Sequence, residues 1–247
     1  MRAAALRGLL VALAVSRLTG APAAAQTAVD LQLVLAVDAS GSVSEERFEL
    51  QKRGYVAAFR SPQLVRAIGS GPARAIAVTV VQWTGPTLQV QVVPWMIVND
   101  EASMGRLAVA IAAAPRQLFG GGTSISGAID HALTLFGAGP FRGGRRVIDI
   151  SGDGRNNRGR SAAEARDDAV RAGASINGLP ILAIEPDLEE FYRDNVIGGP
   201  GAFVIAAASF ASFADAILKK LIIEISDGGS MPAVARAQSS PDNSRRD

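Results

Sequence analysis

Apolar positions along the chain follow two alternating rhythms. Leu31 to Val37 is an apolar run broken only by Gln32, the pattern of a strand buried on both faces in a parallel sheet. Ile76 to Trp83 is a second such run, and Arg145 to Ser151 a third, built around Val147, Ile148 and Ile150. Leu88, Val90 and Val92 alternate with Gln89 and Gln91. That period of two predicts a half-exposed edge strand, joined to its predecessor by the turn at Gly85-Pro86. Leu179 to Ile184, with Pro180 awkward inside it, and Phe203 to Ala206 bring the expected strands to six. Between them the spacing turns helical. Phe48, Tyr55, Val56 and Phe59 share one face, as do Ile125, Ile129, Ala132, Leu133 and Phe136. Glu101 to Ala114 and Ser161 to Gly173 are Ala-rich helices, the second ending at a glycine. Phe210, Phe213, Ile217, Leu221 and Ile225 line a last helix capped by Ser209. Ser42 and Glu45 have capping-box spacing ahead of the first helix, with Ser44 a second possible cap.

Strands alternating with helices predict an α/β fold. The expected architecture is three-layered and doubly wound. It has a mostly parallel six-stranded sheet, helices on both faces and one antiparallel edge strand.

Both ends of the chain depart from this rhythm. Arg2 and Arg7 precede a short apolar run, Gly8 to Val15, and Ala23-Ala24-Ala25 stands before Gln26. The combination reads as a signal peptide over 1–25 with cleavage near Ala25-Gln26, and hence a periplasmic or secreted protein. No apolar stretch is long enough to span a membrane. Residues 226–247 mix Gly, Ser, Pro and charge and read as a disordered tail. The folded domain is therefore expected over 26–225.

Composition then removes several functions. The 25 basic and 23 acidic residues give a net charge of +2. Arg2, Arg7 and Arg17 leave with the leader and no acid does, so the mature chain falls to −1. A generic nucleic-acid surface is not supported. There are no cysteines, which rules out disulfides, thiolate nucleophiles and Cys-based zinc sites. No phosphate-binding glycine motif is present. The lone histidine, His131, has no G-x-S-x-G serine to serve, and its expected place is on the wet side of its helix.

Three loops remain as candidate chemistry. Asp38-Ala39-Ser40-Gly41-Ser42 follows the first strand, Gly122-Thr123-Ser124 precedes the helix beginning near Ile125, and Ser151-Gly152-Asp153-Gly154 follows the strand from Arg145. They supply two carboxylates and three hydroxyls, hard oxygens that suit Mg²⁺, Mn²⁺ or Ca²⁺. Short hydroxyl ligands favour a compact octahedral shell, so Mg²⁺ is the first choice. Two acids leave the site short of negative charge, with a position open to water or to a carboxylate. Open α/β sheets bind ligands beyond the carboxyl ends of strands where strand order reverses. If the strands carrying Asp38 and Asp153 flank that point, the two acids face each other.

Asp38-x-Ser40-x-Ser42 with a later Thr123 and a later Asp153 resembles the metal-ion-dependent adhesion site of von Willebrand factor A domains. The likeness extends over roughly Val29 to Ile225. More narrowly, the Ser151-Gly152-Asp153-Gly154 and Asn156-Asn157 run resembles a group of exported bacterial proteins of the DUF1194 type. The resemblance implies that Ser40, Ser42 and Thr123 touch the metal through their hydroxyls. It implies that Asp38 and Asp153 act directly or through water, and that an Asp or Glu of a protein partner completes the shell. In many relatives the Thr and second Asp exchange direct and water-mediated contact as affinity switches.

Singly, each element has a plainer use. An Asp or Ser caps turns, and a glycine run makes a loop. Asn156 and Asn157 read as turn residues. Trp83 and Trp95 read as packing, Lys219-Lys220 as the wet face of the last helix, and Arg142, Arg145 and Arg146 as a solvated cluster. The three loops in this order point instead to a non-enzymatic metal-dependent binding module. Two alternatives stay open. One is a Mg²⁺-dependent hydrolase or phosphatase with Asp38 as nucleophile, although such enzymes carry Asp-x-Asp where Ser40 stands here. The other is a metal of purely structural role.

Overall fold

The computed structural model describes residues 26–226. The expected leader over 1–25 lies outside them, and so does the expected tail over 226–247 except for Ser226, which is the last residue of the final helix. The elements in chain order are β1 (Thr27–Asp38), α1 (Glu45–Ala58), α2 (Pro62–Gly69), β2 (Ile76–Trp83), β3 (Gln89–Val98), α3 (Glu101–Ala113) and α4 (Ile125–Ala138). They continue with β4 (Phe141–Gly152), α5 (Ala162–Arg171), β5 (Ser175–Pro180), α6 (Leu188–Asn195), a 3₁₀ turn (Phe210–Ser212) and α7 (Phe213–Ser226).

The sheet has the order β3-β2-β1-β4-β5. All pairings are parallel except β2 with β3, which is the antiparallel edge expected from the alternating run. The successive faces of β1 account for the three layers. Leu31, Leu33, Leu35 and Val37 pack with Phe48, Tyr55, Phe59, Leu107, Phe213, Ile217 and Leu221 beneath α1, α3 and α7. Val34 and Ala36 point the other way, into Ile125, Ile129, Ala132, Ala165, Ala169 and Tyr192 from α4, α5 and α6. Strand order reverses between β1 and β4, with Val37 beside Ser151. The two acid-bearing loops therefore leave adjacent strands at one end of the sheet.

Several expectations are corrected. The sheet has five strands, not six. The Phe203–Ala206 segment runs along β5 without becoming a strand: one isolated bridge, Gly178 to Val204, pairs them, and a second, Ile181 to Ala207, lies just past the ends of both. β5 starts and ends four residues before the expected Leu179–Ile184 run. Its polar Asn177 is buried because its amide donates to Glu224 Oε1 at 2.5 Å and its carbonyl accepts from the Phe203 N–H at 3.1 Å. Pro180 stands at the strand's last position, where its missing N–H costs no ladder bond. α2 and α6, each eight residues long, were not among the expected helices, although Leu64, Ala67 and Ile68 on α2 and Leu188 and Tyr192 on α6 form short buried stripes.

Charged residues also moved inward. Lys219 is exposed as expected, but Lys220 is fully buried, 2.8 Å from Asp149 Oδ1 and 3.0 Å from Glu224 Oε1. Arg145 donates to the Glu224 and Ile225 carbonyls, and Arg146 to the Ala172 carbonyl. Both guanidiniums thus meet carbonyls at the ends of α7 and α5; Arg145 is half-buried, while Arg146 and Arg142 stay exposed as expected.

Candidate metal-ion site

β1 ends by delivering Asp38 into a fully buried position beside the end of β4. The Ser40 backbone N–H donates to Asp38 Oδ1 at 2.7 Å, a tight turn that fixes the carboxylate and turns Oδ2 away. Ser40 Oγ and Ser42 Oγ are 3.1 Å apart, and Ser42 Oγ donates to Asp153 Oδ1 at 2.6 Å. Ser42 is thereby committed to the site, and Ser44 caps α1 by accepting from the Arg47 N–H. Gln51, nearly two turns into α1, donates to the Asp38 carbonyl at 3.2 Å and anchors the loop from below.

Asp153 is reached through Gly152, and glycine is required there. A Cβ at Gly152 would sit 2.9 Å from Asp38 Oδ2, 3.1 Å from the Tyr192 hydroxyl and 3.2 Å from the Trp83 ring. The two acids, Tyr192 of α6 and Trp83 thus crowd one point at the switch of the sheet. Arg47 approaches Asp153 Oδ2 at 3.7 Å and donates to the Ser42 carbonyl.

The third loop arrives from the other side. Gly120, Gly121 and Gly122 have φ of 88°, 94° and 82°, a left-handed run that side chains rarely adopt. It brings Thr123, itself buried, over the end of β4. A Cβ at Gly154 would lie 3.8 Å from Thr123 Oγ1. Two asparagines hold this loop to the Asp153 loop. Asn157 Oδ1 accepts from the Thr123 N–H at 2.9 Å, the Asn157 N–H donates to the Thr123 carbonyl at 2.8 Å, and Asn156 Oδ1 accepts from the Ser126 N–H at 3.0 Å. The pair does more than shape a turn; it sets the height of Thr123 relative to Asp153. Tyr192, Glu185, Gln51 and Arg47 were not singled out in the sequence. Only the position of Asn156-Asn157 just after Asp153 was a usable signal.

The electrostatics are those of an acid pair short of positive charge. Burial, with the nearby Asp153 charge second, pushes the Asp38 carboxyl up to about 7. Burial also raises Asp153, against the lowering effects of the Ser42 hydrogen bond and Arg47. Asp38 Oδ2, Asp153 Oδ2 and the Tyr192 hydroxyl are buried without a hydrogen-bond partner. Unsatisfied buried oxygens are expensive unless something compensates them. Among the described residues no group of three or more His, Cys, Asp and Glu side chains gathers. The donor set is two carboxylates with hydroxyls, which fits a hard divalent cation.

The fold places the chain in a known class. It resembles proximal thread matrix protein 1 from the mussel byssus (18% identity, TM-score 0.57, covering 80% of this chain and 48% of that one). A second structure of that protein has a zinc-occupied MIDAS motif (16%, TM-score 0.54, 81% and 46% covered). A von Willebrand factor type A protein from Catenulispora acidiphila is similar to the same degree (16%, TM-score 0.54, 80% and 43% covered). The fold is thus the doubly wound one of von Willebrand factor A domains, and the chain spans about half the length of these structures. Within that class, the family described as "Protein of unknown function (DUF1194)" matches residues 28–229, and the chain belongs to it. No curated protein matches the sequence.

Proposed function

We propose that Asp38, Ser40, Ser42, Thr123 and Asp153 hold one divalent cation, Mg²⁺ first and Mn²⁺ or Ca²⁺ otherwise, and that a protein partner's Asp or Glu binds to it. On this reading the protein is a non-enzymatic, exported binding module. One observation carries it: two neighbouring buried carboxylates, Asp153 also bound by the Ser42 hydroxyl, each present an oxygen with no hydrogen-bond partner. A cation supplies the missing positive charge at that point, and two acids with neutral hydroxyls leave it a coordination position for a third acid. Ser40 and Ser42 supply hydroxyl donors on the first loop and Thr123 supplies one on the glycine arm. Asn156 and Asn157 act as positioning residues, keeping Thr123 in reach of the acid pair. Tyr192 closes the floor and excludes water from beneath Asp38.

Isothermal titration of Mg²⁺, Mn²⁺, Ca²⁺ and Zn²⁺ into the purified protein tests the cation. A single site lost in Asp38→Ala is the expected result, and a blank with all four ions ends the proposal. Recovery of a partner from periplasmic extract only without EDTA is expected in turn. Cation-dependent hydrolysis of p-nitrophenyl phosphate that disappears in Asp38→Ala would move the site to the hydrolase reading. Cation binding with no cation-dependent partner would leave a structural metal.

A further inference from the structure

Four large apolar side chains stand exposed among the described residues: Leu88, Val109, Phe119 and Ile184. Val109 lies on α3. The other three lie on loops at the end of the sheet where Asp38 and Asp153 emerge. Phe119 is the most exposed, at 70%. It directly precedes Gly120, whose Cα is 3.7 Å from where a Cβ on Gly41 would stand. Leu88 Cδ1 is 2.8 Å from the equivalent point on Gly121. Phe119 and Leu88 thus flank the glycine arm that leads to Thr123. Exposed apolar side chains gathered at one place mark an interaction surface, whereas scattered ones mean nothing.

Four arginines surround the same loops, and three are engaged. Arg116 donates to the Ala39 and Ser40 carbonyls and pairs with Glu45. Arg47 serves Ser42 and Asp153, and Arg155 pairs with Glu185 and Asp187. Arg158 pairs with no carboxylate among the described residues, and it is exposed. A Cβ on Gly122 would meet its Cγ at 2.6 Å and its Nε at 3.2 Å, so its side chain lies across the residue before Thr123.

We propose that this rim selects an acidic protein segment with two further features beside the acid on the cation. A second acidic residue nearby meets Arg158, and a neighbouring apolar side chain covers Phe119 and Leu88. The proposal rests on the cation reading above and names the partner's chemistry. A small free acid or phosphate has no use for Phe119 and Leu88. An anionic membrane needs a broad basic face, and three of the four arginines here are already engaged.

Three blocked peptides test it by fluorescence anisotropy in saturating Mg²⁺. The first carries Leu-Phe-Glu-Gly-Asp, the second replaces Leu and Phe by Ser, and the third replaces Asp by Asn. The first is expected to bind about tenfold tighter than the second, from apolar contact. It is expected to bind about threefold tighter than the third, from one exposed ion pair. Phe119→Ser abolishes the first preference and Arg158→Gln the second, while calorimetric Mg²⁺ affinity stays unchanged in both variants. Equal binding of the three peptides, preferences untouched by the two variants, or no peptide binding to Mg²⁺-loaded protein overturns the rim's role and leaves the cation site standing. Without Mg²⁺ binding the cation reading falls. The rim then survives only if the same preferences, lost in the same variants, are measured in EDTA.

Discussion

Asp38 carries the largest residue-scale consequence. Its folded-state pKa, raised to about 7 by burial and by Asp153, lies above its ordinary 3.8. A carboxyl shifted upward holds its proton longer in the folded chain. Its stabilising contribution is complete below about pH 4 and is lost as pH rises through about 7. Replacement by Asn removes the charge and keeps the shape. In EDTA, Asp38→Asn is therefore expected to melt several degrees above the parent at pH 8, with the gap closing toward pH 5, as paired thermal melts would show. Mg²⁺ reverses the ranking at pH 8, because it stabilises only the parent. A cation and a proton compete for the same oxygens, so calorimetric Mg²⁺ affinity is expected to rise with pH up to about 7 and then level off. At this scale the five candidate ligands were readable as types and order. Tyr192 and Gln51 were not, because their role comes from the way α6 and α1 pack against the ends of β1 and β4 and from no local pattern.

At the scale of elements, the buried Lys220 marks where sequence reading was weakest. Lys220 is held by Asp149 from β4 and by Glu224 from its own helix, with Asn177 of β5 completing the cluster. Two adjacent lysines on a helix read as solvated, since no periodicity reveals a counter-ion on a distant strand. The burial also explains why Asp149 in β4 and Asn177 in β5 interrupt otherwise apolar strands. Lys220→Met leaves two buried acids with no counter-charge and is expected to cost about 3–5 kcal/mol, measured as a lower urea midpoint at unchanged m-value. Adding Asp149→Asn and Glu224→Gln to it is expected to restore most of that loss, because the whole cluster is then neutral. β1, β2 and β4 were legible because burial on both faces leaves a continuous apolar run. β5 was misplaced because its polar residues are satisfied by α7 and by the Phe203 segment, partners no local window contains.

For the whole molecule, export is the remaining expectation from the sequence. Secretion of the chain from a bacterial host followed by intact-mass measurement is expected to return a protein starting at Gln26; retention of residues 1–25 would remove the periplasmic assignment. The sequence by itself determined the doubly wound class, the antiparallel edge and the order of the three loops. Each is written in hydrophobic period or in residue types a few positions apart. Tertiary structure decided that β1 and β4 are neighbours, so that Asp38 and Asp153 crowd one point. It also decided which charges are buried, and that Phe119, Leu88 and Arg158 share one rim. These are distances between residues far apart in the chain, set by the packing of helices on a twisted sheet, and no local pattern encodes them.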